Sequence, residues 1–184
     1  DRHYPLLDRD EIVEVLKPEW TMAENAHGWI WTTDNYLVDA LEVGRALGMR
    51  YIRTFVWVKL RVDDHDDAIL VQPEVGRGLR PCVRYGIGQY GRGAHELLLF
   101  FVRGSGQDES VWTGARDVAS VFFAPVPTGD DGKRIHSRKP RESYELIERV
   151  SKGPRLECFA RVARKGWRVW GNQAPQEESD VEQR

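Results

Sequence analysis

Cysteine is scarce. Only Cys82 and Cys158 occur in 184 residues, too few for a disulfide framework or a four-cysteine zinc site. That fits a reducing, intracellular compartment, and a cytoplasmic location is expected. Long apolar runs are lacking too. The longest, Leu97 to Val102, is six residues, against the roughly 18–20 that cross a bilayer, so no membrane partner is expected. No charged-then-apolar stretch opens the chain, so no secretory signal is read. Net charge is only −2, which excludes a basic, histone-like coat.

Motif absences exclude whole classes of chemistry. His3, His27, His65, His95 and His136 show no ligand spacing, and there is no HExxH or CxxC, so no metal site is expected. The acidic run Asp63, Asp64, Asp66, Asp67 lacks the glycine and terminal glutamate of a calcium loop. GIGQYG at 86–91 neither follows a clear strand nor opens a helix, as a dinucleotide loop must. No P-loop and no GxSxG elbow is present. Hydrolase, kinase and dehydrogenase readings are left without their parts.

What is present reads as one α/β domain. Apolar residues at 41% and charged residues at 30% suit a globular chain and exclude a disordered one. Residues 8–17 predict a short helix, capped by Asp8 with Glu11 three positions on. GWIWTT (28–33) predicts a buried strand. Asp34 or Asn35 would then cap a second helix ending at Gly48. RYIRTFVWVK (50–59) predicts a strand, so strand–helix–strand follows at short loop lengths, the unit of a parallel sheet.

Residues 60–93 are expected to form a long loop of acidic, glycine and arginine content, of a length that is usually functional or disordered. ELLLFFV (96–102) predicts a strand buried on both faces, and DVASVFFAPV (117–126) another. Pro140 would open a helix whose buried face carries Tyr144, Ile147 and Val150. RLECFARV (155–162) and WRVWG (167–171) predict two more strands around a turn at Gly166, before a mobile acidic tail at 174–184. The expected fold is α/β, with a mostly parallel sheet and helices on both faces. Ligands in such sheets gather at the carboxyl ends of strands, which points to Asp34, Lys59, Gly104, Arg161 and Asn172.

Three segments carry specific signal: His3-Tyr4-Pro5; Tyr90 to Glu96 running into the apolar strand; and HSRKP (136–140), with ESYELIERV, LECFAR and GWRVWGNQ behind it. In this order and spacing the chain, from about residue 1 to 173, resembles the N6-adenine methyltransferase family. That family contains the catalytic subunit of the eukaryotic mRNA adenosine methyltransferase and many phage and bacterial DNA adenine methyltransferases. The resemblance implies a Rossmann-like, S-adenosylmethionine-dependent methyltransferase domain over 1–173, transferring methyl to the N6 amine of adenine in DNA. It implies that Lys139 meets the cofactor's methionine carboxylate, that Phe159 lines the adenosine pocket, and that Arg161, Asn172 and Gln173 contact the ribose. Tyr4 would be the residue at the reacting base, with His3, Lys59, Arg92, His95 and Glu96 around the substrate. An enzyme acting on a base must hold it unstacked, aromatics suit that task, and basic loop residues would meet phosphate. A homodimer or a paralogous subunit is compatible with the resemblance.

Two departures matter. The family's Asp-Pro-Pro-aromatic motif should precede His3-Tyr4-Pro5 and is absent from these residues. Its carboxylate and a backbone carbonyl would hold the two N–H bonds of a poorly nucleophilic amine and aim its lone pair, which is positioning plus electrostatic stabilisation. Truncation upstream of Asp1 is the expected explanation. The alternative is a non-catalytic, nucleic-acid-binding partner subunit; RNA as substrate is a further one. The second departure is the short turn VARKG between Arg161 and Trp167, which removes room for a cofactor contact from that turn.

Overall fold

The computed structural model describes residues 7–17, 21–60, 83–84, 86, 90–129, 131–135 and 137–175. The chain divides into two compact units, Asp1–Ser151 and Lys152–Arg184.

In the first unit, α1 (Arg9–Val15) starts at Asp8. Its carboxylate accepts from the Glu11 amide, and the Glu11 side chain accepts from the Asp8 amide, the reciprocal cap anticipated from sequence. β1 (Ala26–Thr32) leads into a 3₁₀ turn (Asp34–Tyr36) and α2 (Leu37–Ala46). Neither Asp34 nor Asn35 caps α2, because the 3₁₀ turn occupies that place. Gly48 closes the helix at φ +73°, a conformation that suits glycine. β2 (Arg50–Leu60), β3 (His95–Arg103), β4 (Val121–Pro125) and α3 (Arg141–Val150) follow.

The strands form one four-stranded sheet in the order β1-β3-β2-β4. β3 runs antiparallel to β1 and to β2, and only β2 and β4 pair in parallel. The expectation of a mostly parallel sheet is therefore corrected. The β1–α2–β2 unit does make two co-directional strands, but β3, arriving later in the chain, inserts between them. Its unbroken apolar run marks it as central and says nothing of its direction.

Alternation along β3 sends Leu97, Leu99 and Phe101 to one face, where they pack with Ala40 and Val43 of α2, with Leu47 at its end, and with Ile12 and Val13 of α1. Gly44 permits this approach, since a Cβ there would collide with the Phe101 ring. The opposite face carries Glu96, Leu98, Phe100 and Val102, with Trp31, Trp57 and Ala124 beside them. The carboxyl end of α3 is tied to that face: Trp29 Nε1 donates to Ser151 Oγ at 3.0 Å.

The second unit holds a parallel pair, β5 (Arg155–Cys158) and β6 (Trp167–Trp170). β5 stops four residues before the predicted end because Phe159 turns to φ +60°. Gly166 makes the expected turn at φ +81°. Of the tail, 176–184 lies outside the described residues.

Candidate functional site

β1, β2 and β4 run in one direction, so their carboxyl ends meet at one end of the sheet. β3 begins there. Its second residue, Glu96, lies opposite Trp57 of β2, and Lys59 projects from the same face two positions further on. The Lys59 backbone is held on both sides: its amide donates to the Ala94 carbonyl at 2.9 Å and its carbonyl accepts from the Arg84 amide at 2.8 Å. Lys139 directly precedes Pro140, whose carbonyl accepts from the Ser143 hydroxyl at 2.6 Å and so fixes the start of α3.

These elements bring three charged side chains together. Lys59 Nζ lies 2.8 Å from Glu96 Oε1, and Lys139 Nζ lies 2.5 Å from Glu96 Oε2. The side chains are 15%, 21% and 11% exposed for Lys59, Lys139 and Glu96. Burial pushes the Glu96 carboxyl up, but the Lys139 and Lys59 ammonium groups together outweigh it and hold the group below the ordinary carboxylate range. Two tryptophans wall the cluster. Lys59 Nζ stands 5.4 Å from the Trp57 ring and Lys139 Nζ 5.0 Å from the Trp31 ring, within cation–π range. The two indoles meet edge to face at 6.1 Å, and Trp57 Nε1 donates to the Ala124 carbonyl at 2.9 Å. At the rim His95 Nε2 lies 3.2 Å from Asp34 Oδ1.

Two cations on one carboxylate leave an excess positive charge. Each ammonium retains donors, and each carboxylate oxygen retains a lone pair. The cluster can therefore take an anionic group on its lysines and an N–H on Glu96.

In the second unit, Phe159 follows β5 and Trp170 ends β6, with ring centroids 5.7 Å apart. A Cβ at Gly171 would lie 2.8 Å from Phe159 Cα, so glycine allows this close approach. Phe159 is 44% exposed, Asn172 and Gln173 are exposed, and Arg161 is half-buried. An open aromatic ring and two amides at the carboxyl ends of parallel strands are the groups a nucleoside needs: a stacking face, and donors and acceptors for vicinal hydroxyls. Burial, with a smaller push from Glu157, raises the Cys158 thiol to about 11, which leaves no thiolate nucleophile there at neutral pH.

Of the residues proposed from sequence, Lys59, Glu96 and Lys139 share one cluster. His95 sits at its rim, and Arg92 is exposed in the segment before β3. His3 and Tyr4 lie outside the described residues, as does most of the 60–93 loop. Sequence reasoning missed Trp31 and Trp57. The alternation of tryptophan with Lys59 along β2 was the available signal. Among the described residues no group of three or more His, Cys, Asp or Glu side chains could hold a metal ion, and no helix is long and apolar enough to cross a membrane.

The MT-A70 family model matches residues 4–173, and the chain belongs to that family, which includes the eukaryotic mRNA adenosine methyltransferases and related bacterial and phage adenine methyltransferases. No curated protein matches the chain.

Proposed function

We propose that this chain binds S-adenosylmethionine and a target adenine as part of an N6-adenine methyltransferase acting on DNA. The observation that carries the reading is the buried Glu96 carboxylate held between Lys59 and Lys139 at the carboxyl ends of co-directional strands, within a chain of the MT-A70 family. S-adenosylmethionine, when bound, supplies an activated methyl group. Lys139 offers an ammonium to the cofactor's carboxylate. Phe159 offers a ring to its adenine, and Arg161, Asn172 and Gln173 offer polar groups to its ribose. Glu96, ionised and a pure acceptor, takes an N–H from the target base. Lys59, with His95 and Arg92 further out, meets the strand that carries it.

The test is transfer of labelled methyl from S-adenosylmethionine to adenine-containing oligonucleotides by the full-length protein, with N6-methyladenine identified by mass spectrometry. Product in DNA supports the reading, and product confined to RNA moves the substrate to RNA. Absence of product from both sinks the catalytic reading. Lys139→Ala and Asn172→Ala should each weaken cofactor binding by about tenfold, the loss of one charge-assisted or polar contact. Unchanged affinity refutes the assignment.

One observation favours a second reading: the Asp-Pro-Pro-aromatic motif does not occur in these 184 residues. A partner subunit would keep the nucleic-acid surface without catalysis. Calorimetric titration separates the two, since such a subunit has no need to bind S-adenosylmethionine.

A further inference from the structure

A groove of about 480 Å³ opens on the Glu96 face of the sheet, at the end opposite the lysine cluster. Its walls come from the start of β2, the end of β3, the 104–118 segment and the last turn of α3. Three arginines line it, Arg50, Arg53 and Arg116, and among the described residues no acidic one does. Arg50 and Arg53 are exposed and make no ion pair among the described residues. The Arg116 guanidinium lies over the Trp112 ring at 4.8 Å. Phe100 and Val102 supply an apolar floor.

Co-directional strands place their ligands at the carboxyl ends. This groove lies at their amino ends, so fold habit does not account for it. Three guanidinium groups without an ion pair among the described residues, above an aromatic and apolar floor, are complementary to a chain of phosphates whose bases can stack. An acidic peptide would satisfy the charges but not the Trp112–Arg116 stack, whose planar faces match bases. Glu96 and Val102 are six positions apart on β3, about 20 Å at the usual rise of an extended strand. That is about six stacked nucleotides at 3.4 Å each.

We infer that this groove is a second contact for single-stranded nucleic acid, gripping the backbone about 20 Å from the lysine cluster. The inference rests on the nucleic-acid reading proposed above. Its guanidinium groups meet phosphates and its aromatic groups meet bases, which DNA and RNA share, so it holds both.

The test is fluorescence anisotropy of labelled dT12 with the full-length protein over a range of salt. The probe contains no adenine, so the readout is independent of methyl transfer. Replacing Arg50, Arg53 and Arg116 together by alanine should weaken binding about tenfold at low salt. It should also flatten the slope of log affinity against log salt by about 2, three contacts at about 0.7 each. The same three positions changed to lysine should keep most of the slope, which a purely structural role would not predict. Binding of rU12 should match that of dT12 within a few-fold. Unchanged affinity and slope in the alanine variant overturn the inference. So does a variant that binds dT12 normally but sediments differently, because the groove then holds a second copy of the chain. Groove-dependent dT12 binding without methyl transfer keeps the groove and removes the proposed activity. Methyl transfer with groove-independent dT12 binding does the reverse.

Discussion

The two ends of one sheet face solve the problem of charge in opposite ways. At the carboxyl ends of β1, β2 and β4, two lysines close on one buried carboxylate. At the amino ends, three arginines stand around a groove with no acidic residue in its lining among the described residues. Beside the groove, on β1, lies a neutral network. His27 donates from Nε2 to the Gly106 carbonyl at 2.8 Å, its Nδ1 accepts from Ser151 Oγ at 2.8 Å, and that oxygen accepts from Trp29. Buried charges must be compensated internally, whereas exposed ones can wait for a ligand. The lysine end is thus part of what holds the fold, and the arginine end is available to a partner at little cost in stability.

The largest effect should come from breaking the compensation. Glu96→Gln keeps the shape but leaves two nearly buried ammonium groups without a counter-charge. Removing one partner of a buried ion pair costs about 3–5 kcal/mol. With some solvent reaching both lysines, a loss near the lower figure is expected in urea unfolding. Lys59→Met leaves Lys139 on the carboxylate and should cost clearly less. If the two variants lose the same amount, Glu96 is not the shared keystone of the cluster.

Next in size is the neutral network beside the groove. Ser151→Ala removes the partner of both His27 and Trp29, and should cost about 1–2 kcal/mol. Its pH dependence has a definite sign. An unfolded histidine titrates near 6.5, while burial, opposed by a smaller pull from the Gly106 carbonyl, lowers the value of folded His27. In that window the unfolded chain binds the extra proton. Stability is therefore complete above about 6.5 and falls as pH drops through the window. Glu96 acts at lower pH with the same sign: its contribution is complete above the ordinary carboxylate value and is lost as pH falls through its depressed one. Unfolding midpoints from neutral to acid pH should thus show two separate losses, and a flat profile just below 6.5 would remove His27 from the account.

Local signals carried well from sequence to structure. The Asp8–Glu11 cap, Gly48, the turn at Gly166 and the apolar run of β3 all rest on short-range sterics or periodicity, and the structure has them. Sheet order was not legible, because nothing in β3 states which neighbours it separates or which way it runs. The premature end of β5 was hidden for a similar reason: Phe159 reads as a strand residue and adopts positive φ instead. The site divides the same way. Lys59, Glu96 and Lys139 were each singled out, but their convergence joins residues 80 positions apart in the chain (59 to 139) and depends on the β2–β3 register. Arg53 and Arg116 carried no motif at all, and only the groove draws them together.

The smallest expected effect sharpens the comparison most. Arg53→Ala removes an exposed guanidinium that has no ion-pair partner among the described residues, so no ion pair among them is lost. Such a change should fall within about 0.5 kcal/mol of wild type, and relief of repulsion from Arg50 can make it slightly stabilising. Thermal midpoints of Arg53→Ala and Glu96→Gln measured side by side give the contrast directly. A large loss for Arg53→Ala would mean that its charge is already satisfied within the chain, and a guanidinium engaged in that way would not be free to hold a phosphate.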